Sequence, residues 1–495
     1  MARRLTSGPD ALGALGLVGV GVSVATMVVV GALGTSVAEP PLGGGSGPPW
    51  SGLAHPSALL VTALLLGAIA VGAAGVGVAY LALRRGWTPS PRRLLVLSAV
   101  AVVALVLVPP MGSADHLSYA AYGRIAATGG NPYVVSPDHY RGDTDPVVSA
   151  VETPWRDARS VYGPVATALQ DVASRIGGDS VRTTVWILSL MCGAAFLLTG
   201  WLLTRLRPGD ARPVVLWSLN PLLLWALVAG AHVDGLLMPA LAGAFLVARR
   251  SRFGAGLLIG LAAAVKVTAG LVLLALVVAR RRAVREVLIA AAGVGVVLAP
   301  AYALAGPHAY ADLRDASKRV SVDTIWDPVL LWIATHVEAT TARHVVDVLS
   351  VLLAGVLVLA LHRLLPHGDN GIVRWAVILT FAYLLAAPYA LPWYDALLWL
   401  PVAVAPVAAR LVPLLLARSA VLASAYIPGR AAGVPPALDH VMLDWRGHVV
   451  PWLAWGLVAV ILMMAWRGWP ALEPGDPEDP DVVEPVSETP RAGTA

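Results

Sequence analysis

Apolar runs recur along this chain, and one polar segment of about seventy residues interrupts them. The runs cover residues 11–33, 57–83, 94–108, 183–203, 214–231, 235–247, 287–304, 344–361, 372–387, 396–409, 411–427 and 449–466. A helix needs about 20 apolar residues to cross a bilayer, so the longer runs predict transmembrane helices and the shorter ones have soft boundaries. The pattern predicts an all-α polytopic membrane protein with about 12 transmembrane helices and a long outer loop with short interfacial helices. The first run follows Arg3 and Arg4 but exceeds the apolar stretch of a signal peptide, which points to an uncleaved span. Chemistry is expected in the polar loop at 111–182, because everything around it is committed to lipid.

Composition supports this picture. The chain is 57% hydrophobic and 13% charged, against about 25% charged in soluble domains, so water is not its main solvent. Its single cysteine, Cys192, lies in an apolar run and excludes an internal disulfide or a cysteine metal site. The net charge of +5 hides two regions. An acidic, proline-rich tail at 471–495 reads as disordered and cytoplasmic, and residues 1–470 form one transmembrane domain with 34 bases against 23 acids. Those bases sit in short loops at 84–93, 205–212, 249–252, 280–285 and 362–374, where they orient helices and do not form a nucleic-acid surface. The positive-inside rule then places both termini in the cytoplasm and the loops 34–56, 111–182, 306–343, 388–395 and 428–448 outside a plasma membrane. One segment, 253–279, has arginine at both ends and Lys266 at its centre. If both ends are cytoplasmic, it is a re-entrant hairpin with Lys266 at the tip; the alternative is a single tilted helix.

Candidate chemistry clusters in few places. Residues 113–124 read as a short interfacial helix, stopped at Gly129-Gly130 and turned by Asn131-Pro132-Tyr133. Asp115, Tyr119 and Tyr122 are spaced to share one helix face, offering a base for a hydroxyl and flat rings for a sugar. The plain alternative is that Asp115 caps the helix. Tyr162 lies in a rigid Tyr-Gly-Pro turn, and 388–395 is a kinked loop carrying Trp393 and Tyr394, which an interfacial aromatic belt explains equally well. Asn131, Tyr133 and Asp234 join these aromatics as candidates for sugar or acceptor contact. An Asp in mid-membrane costs about 2.5–3.5 kcal/mol, so His232 and Asp234, at the outer end of a hydrophobic hairpin, are expected to face a wet cavity. Lys266 bears a similar cost; its partner is either an anionic phosphate or Asp234 itself. Arg314, Lys318 and Arg319 form a basic patch suited to a phosphate or to lipid headgroups. No nucleotide-binding glycine motif and no metal-spaced His or Cys set is present in the sequence.

Taken in order, D-H-L-S-Y-A-A-Y-G-R, G-G-N-P-Y, V-Y-G-P, N-P-L-L-L-W, A-H-V-D-G-L-L-M and G-L-A-A-A-V-K-V-T-A-G-L resemble the polyprenol-phosphomannose-dependent alpha-1,6-mannosyltransferases of actinobacteria. These are GT-C membrane glycosyltransferases, and the similarity covers residues 94–399. The resemblance implies a GT-C type fold, polyprenyl-phosphate mannose as donor, and a mannan glycolipid acceptor extended at the outer face. It makes Asp115 the general base and matches His232, Asp234 and Lys266 to the family's polar pair and hairpin lysine. Relatives with two adjacent acids in the first loop use a metal; here His116 takes the second place, so no firm cofactor is implied and a divalent cation is doubtful. A transporter or lipid-linked-sugar flippase is the competing class, since broken helices and intramembrane charges suit it too.

Overall fold

Small residues bring the first two helices together. The structure, a computed structural model, describes residues 8–141, 144–310, 319–366, 371–405, 409, 411–430 and 432–468. α1 (Pro9–Leu33) and α2 (Ala58–Arg84) run antiparallel. A Cβ on Gly16 would meet Ala79 N at 2.6 Å, and one on Gly75 would meet Val20 N at 2.8 Å, so only glycine allows this approach. Ser23 Oγ donates to the Ala68 carbonyl at 2.7 Å across the same seam. α3 (Pro91–Val106) then leads into the polar segment, which contains α4 (Asp115–Ala127) and α5 (Pro164–Gly177) before α6 (Val181–Leu206).

The second apolar hairpin is broken twice. Residues 214–231 do not form the continuous span expected. The chain turns at Asn220, whose side chain accepts from Leu222 N–H, and resumes as α7 (Pro221–Ala229). α7 meets α8 (Asp234–Val247) at a bend of 119°. α9 (Arg252–Val265) and α10 (Gly270–Ala279) follow, joined through Lys266 and one short turn. Arg252 Nε and Arg280 Nε reach the same carboxylate, Glu286, at 2.7 and 3.8 Å. Both ends of the segment therefore lie together, and the re-entrant reading of 253–279, with Lys266 at the tip, is the one the geometry matches. α9 packs on α8 and on α11 (Val284–Ala305), and α10 on α14 (Gly371–Ala386). The close contacts of Gly256 with Ala290 and Gly260 with Val294 show α9 and α11 running parallel.

α12 (Trp326–Ala334), α13 (Ala339–Leu364), α14, α15 (Ala396–Val404), α16 (Val412–Ala425) and α17 (Pro436–Trp466) complete the bundle. Among the described residues six helices are long and apolar enough to cross a membrane, namely α1, α2, α6, α11, α13 and α17, or seven if the bent α7–α8 pair is one span. The remaining expected spans are shorter helices, so twelve full crossings are not reached by length. α14 and α15 show why: nearly every residue of both is buried, so protein covers what a lipid-exposed helix would have to span. The expected acidic tail lies outside the described residues.

Candidate active site

Loops grouped together by the charge pattern are stitched together at one end of the bundle. Met111 N–H donates to Ala229 O at 2.8 Å, Gly112 N–H to Ala38 O at 3.0 Å and Gly163 N–H to Val265 O at 2.9 Å. Arg430 pairs with Glu152 and donates to the Glu39 carbonyl at 3.0 Å. The backbone just ahead of Asp115 is thus held by α7 and by the loop that follows α1.

α4 is a buried helix: residues 116–123 are all buried, packed against α5 and the short turn at Val148–Ala150. Gly123 shows how closely: a Cβ there would meet Gln170 O of α5 at 2.1 Å. Asp115 is the first residue of α4 but its side chain makes no cap bond; Ser113 Oγ accepts from Asp115 N–H at 3.1 Å instead. The carboxylate is left with two long contacts, Tyr119 Oη donating to Oδ2 at 3.4 Å and His232 Nε2 at 3.7 Å. Protein surrounds Asp115, yet its side chain keeps 20% of its surface accessible, which is the signature of a crevice. Burial pushes its carboxyl up to about 6, despite the opposing charge of Lys266 and the Tyr119 hydrogen bond.

His232 sits in the α7–α8 bend. Its Nδ1 is 2.5 Å from the Ala226 carbonyl, which can only accept, so Nδ1 carries the proton. Nε2 then presents a lone pair to Ser113 Oγ at 3.1 Å and to Asp115. Asp234, fully buried, accepts two bonds from Lys266 Nζ at 2.8 and 2.9 Å. Lys266 also lies 3.9 Å from the centre of the Tyr394 ring. The Asp234 alternative for Lys266 is therefore the one seen here. Trp393 stacks on His232 with ring centres 3.6 Å apart, and Tyr162 meets Tyr119 edge-on at 5.2 Å. Val267, the residue after Lys266, lines an apolar groove of about 750 Å³ between the α9–α10 tip and the end of α11, together with Ala263, Leu298, Ala299 and Tyr302.

Asp115, Tyr119, Tyr162, His232, Asp234, Lys266, Trp393 and Tyr394 thus converge. Tyr122 approaches Tyr162 at 6.4 Å but gives its hydroxyl to Ala158 O at 3.0 Å. Asn131 and Tyr133 have hydrogen bonds spent within the loop, to Tyr133 N–H at 2.9 Å and to Thr167 Oγ1 at 2.8 Å. Arg319 is exposed over the Trp155 ring at 5.0 Å; Arg314 and Lys318 lie outside the described residues. Sequence reasoning missed Ser113, which bridges Asp115 and His232, and Tyr426, whose ring lies 5.5 Å from Trp393. Tyr426 precedes Ile427-Pro428 at a helix end, and an aromatic beside a proline, as in the kinked loop 388–395, was the available signal. Among the described residues no three His, Cys, Asp or Glu side chains are grouped to hold a metal ion.

Comparison with known proteins adds a second line. A family model described as "Alpha-(1->6)-mannopyranosyltransferase, N-terminal domain" matches residues 18–282. Alpha-(1->6)-mannopyranosyltransferase A of Corynebacterium glutamicum is 29% identical over 177 residues, 35% of this chain and 36% of that protein. Alpha-(1->6)-mannopyranosyltransferase A of Mycobacterium tuberculosis is 32% identical over 187 residues, 37% of this chain and 36% of that protein. Alpha-(1->6)-mannopyranosyltransferase B of Corynebacterium glutamicum is 29% identical over 141 residues, 28% and 23% of the two chains. The chain spans about a quarter to a third of the length of these curated relatives. No solved structure matches it. The family match contains Asp115, Tyr119, Tyr162, His232, Asp234 and Lys266, whereas Trp393, Tyr394 and Tyr426 come from beyond it.

Proposed function

The chain belongs to the alpha-(1->6)-mannopyranosyltransferase family through its residues 18–282, and from that premise we propose that it is an inverting membrane glycosyltransferase. It moves mannose from polyprenyl-phosphate mannose to a growing alpha-1,6-mannan acceptor of the lipomannan or lipoarabinomannan type. The reaction takes place at the outer face of the plasma membrane. The observation that carries this reading is Asp115: a carboxylate in a crevice, held by no cation, opposite a lysine clamped at a membrane break.

Asp115 accepts the proton of the acceptor hydroxyl as that oxygen attacks the anomeric carbon and polyprenyl phosphate leaves. A base with its pKa near ambient pH is suited to this, and burial supplies that shift. Nε2 of His232 faces Asp115 with a lone pair, so the two acceptors attract only when a proton lies between them. The captured proton is therefore shared with His232. Lys266 has a third N–H beyond the two that Asp234 takes, and it offers this to the leaving phosphate. Asp234 keeps the ammonium in place. With the phosphate at Lys266, the isoprenoid chain enters the adjoining apolar groove. Tyr119, Tyr162, Trp393 and Tyr394 wall the mannose, and Arg319 stands exposed beside the aromatic loop.

Purified protein incubated with radiolabelled polyprenyl-phosphate mannose and a short mannoside tests the proposal. The expected product is a new alpha-1,6 linkage with inversion at the anomeric carbon. A protein that translocates the lipid without forming a glycosidic bond is a flippase, and the reading then fails.

A further inference from the structure

A second ionic centre is joined to the first through two aromatic rings, Tyr426 and Trp393. Asp323, between α11 and α12, is buried with no accessible side-chain surface, and its partner Arg446, in α17, keeps 27%. Two guanidinium nitrogens, Nε and Nη2, converge on one carboxylate oxygen, Oδ1, at 3.3 and 3.2 Å. The other oxygen, Oδ2, is buried and has no partner among the described residues. A pair serving stability alone would use both oxygens in parallel bonds, since a buried acceptor without a donor is costly.

The surroundings give this vacancy a direction. Arg446 lies 4.4 Å from the centre of the Tyr426 ring and donates to its hydroxyl at 3.0 Å. Tyr426 meets Trp393, Trp393 stacks on His232, and His232 faces Asp115. Tyr389, its ring centre 6.4 Å from that of Tyr394, feels the charges of Asp115 and Arg319 as well as those of Asp323 and Arg446, and burial raises its phenol to about 12. The support is rigid. Ser321 N–H donates to Pro388 O at 2.9 Å, Trp326 Nε1 to Ala386 O at 2.6 Å and Trp455 Nε1 to Ile325 O at 3.1 Å. Carboxylate, guanidinium and aromatic ring together match a pyranoside, whose hydroxyls need both an acceptor and a donor and whose C–H face needs a flat apolar partner.

We infer that Asp323 and Arg446, with Tyr389 and Tyr426, form a second saccharide subsite that holds the acceptor residue next to the one that reacts. This rests on the glycosyltransferase reading above. The donor carries one sugar, so a subsite beyond Asp115 can be filled only by a longer acceptor chain. A remaining N–H of Arg446, the accessible member of the pair, donates to an oxygen of that residue, and Asp323 holds the guanidinium in place.

The test uses the full chain in nanodiscs, with alpha-1,6-linked mono-, di- and trimannosides carrying the same short alkyl group. For Asp323→Asn, the ratio of kcat/KM on trimannoside to that on monomannoside falls by about tenfold, the size of a hydrogen bond to a charged group. The gain from mono- to dimannoside shrinks with it. Arg446→Lys and Tyr389→Phe, which keep the charge and the ring, lower the same ratio and cover the case in which Asp323→Asn fails to fold. An equal loss on all three acceptors marks a structural pair and overturns the subsite, as does an unaltered ratio. Trimannoside binding, read without donor from tryptophan fluorescence, separates this inference from the reading beneath it. Binding that depends on Asp323 in a protein that forms no mannosidic bond sinks the proposed reaction and leaves the subsite standing. Transfer with a length ratio indifferent to all three substitutions does the reverse.

Discussion

Of the aspartates that begin helices at this end of the bundle, two are treated in opposite ways. Asp395, at the start of α15, is 1% exposed; Arg418 bonds one oxygen and Ser419 Oγ donates to the other at 2.6 Å. Asp115, at the start of α4, has a phenol at 3.4 Å and an imidazole at 3.7 Å, with a fifth of its side chain accessible. Burial alone does not distinguish them. What differs is saturation: a carboxylate whose lone pairs are filled by a buried cation and a hydroxyl has nothing left for a proton. Asp395 is a fastener between α15 and α16, and Asp115 is available for chemistry. The same criterion places Asp234 between them, saturated by a cation that itself keeps a free donor.

The largest effects come from exchanging the carboxylate for an amide at each position. Asp115→Asn is expected to lower transfer by about 10²–10⁴-fold, the usual worth of a general base, while expression and donor binding persist. It also gains stability. A carboxyl whose folded pKa is raised from near 4 to about 6 disfavours the fold above the lower value, in full above pH 6, and the cost disappears as pH falls from 6 to 4, so the amide removes it at neutral pH. A higher melting temperature of the variant at pH 7.5 that shrinks to nothing by pH 4 checks the sign. Asp395→Asn leaves Arg418 buried without its charge partner and is expected to cost about 3–5 kcal/mol, read as lost expression or a collapsed thermal midpoint. If both variants lose activity in proportion to folded protein, the distinction between fastener and base is void.

Next in size is the pair that stands between. Lys266→Met strands the Asp234 charge, and Asp234→Asn removes the anchor of the ammonium. Each is expected to destabilise by about 3–5 kcal/mol, whereas the double variant loses less than the sum because no uncompensated charge remains. Thermal midpoints of all four proteins close the cycle, and additive losses would show that the two side chains do not act as a pair.

How much of this was legible in the sequence depends on what each residue had to tell. Asp115, Tyr119 and Tyr122 were readable from helical spacing, which the structure keeps. Charge inside an apolar run is expensive enough to stand out, which made His232, Asp234 and Lys266 visible before any contact was known. The arginines at 252 and 280 signalled the re-entrant turn, now seen in their shared carboxylate. Other features depend on long-range packing that no local pattern encodes. The burial of α4 is imposed by α5, and the Asp323–Arg446 pair joins residues 123 positions apart. The break at Asn220 was within reach, since Asn-Pro is a turn signal, but the apolar run around it reads as one span. Hydropathy does not give the span count for a related reason: it does not separate a helix bathed in lipid from one buried in protein.

A smaller effect follows from pH. The kcat/KM of the wild type is expected to fall on the acid side with a midpoint near pH 6, because the protonated carboxyl cannot take the acceptor proton. Initial rates between pH 4.5 and 8 with the donor held subsaturating give the limb directly. A midpoint near 4, the ordinary carboxylate range, would mean that the crevice is open to bulk water and does not shift its base.

The finest test of the contrast is the single hydroxyl that partly satisfies Asp115. Tyr119→Phe removes the phenol at 3.4 Å and keeps the ring that meets Tyr162 edge-on. That hydrogen bond lowers the Asp115 pKa, so its loss raises it and moves the acid limb to higher pH by a few tenths of a unit. A bond this long contributes about 0.5 kcal/mol at most, so kcat at pH 8 should fall by less than threefold. The two readouts must move together with the signs given, because the same donor both tunes the base and holds it. A Phe variant whose limb moves to lower pH would require a different neighbour to control the carboxylate, and His232, the other group within 4 Å of its Oδ2, becomes the residue to vary.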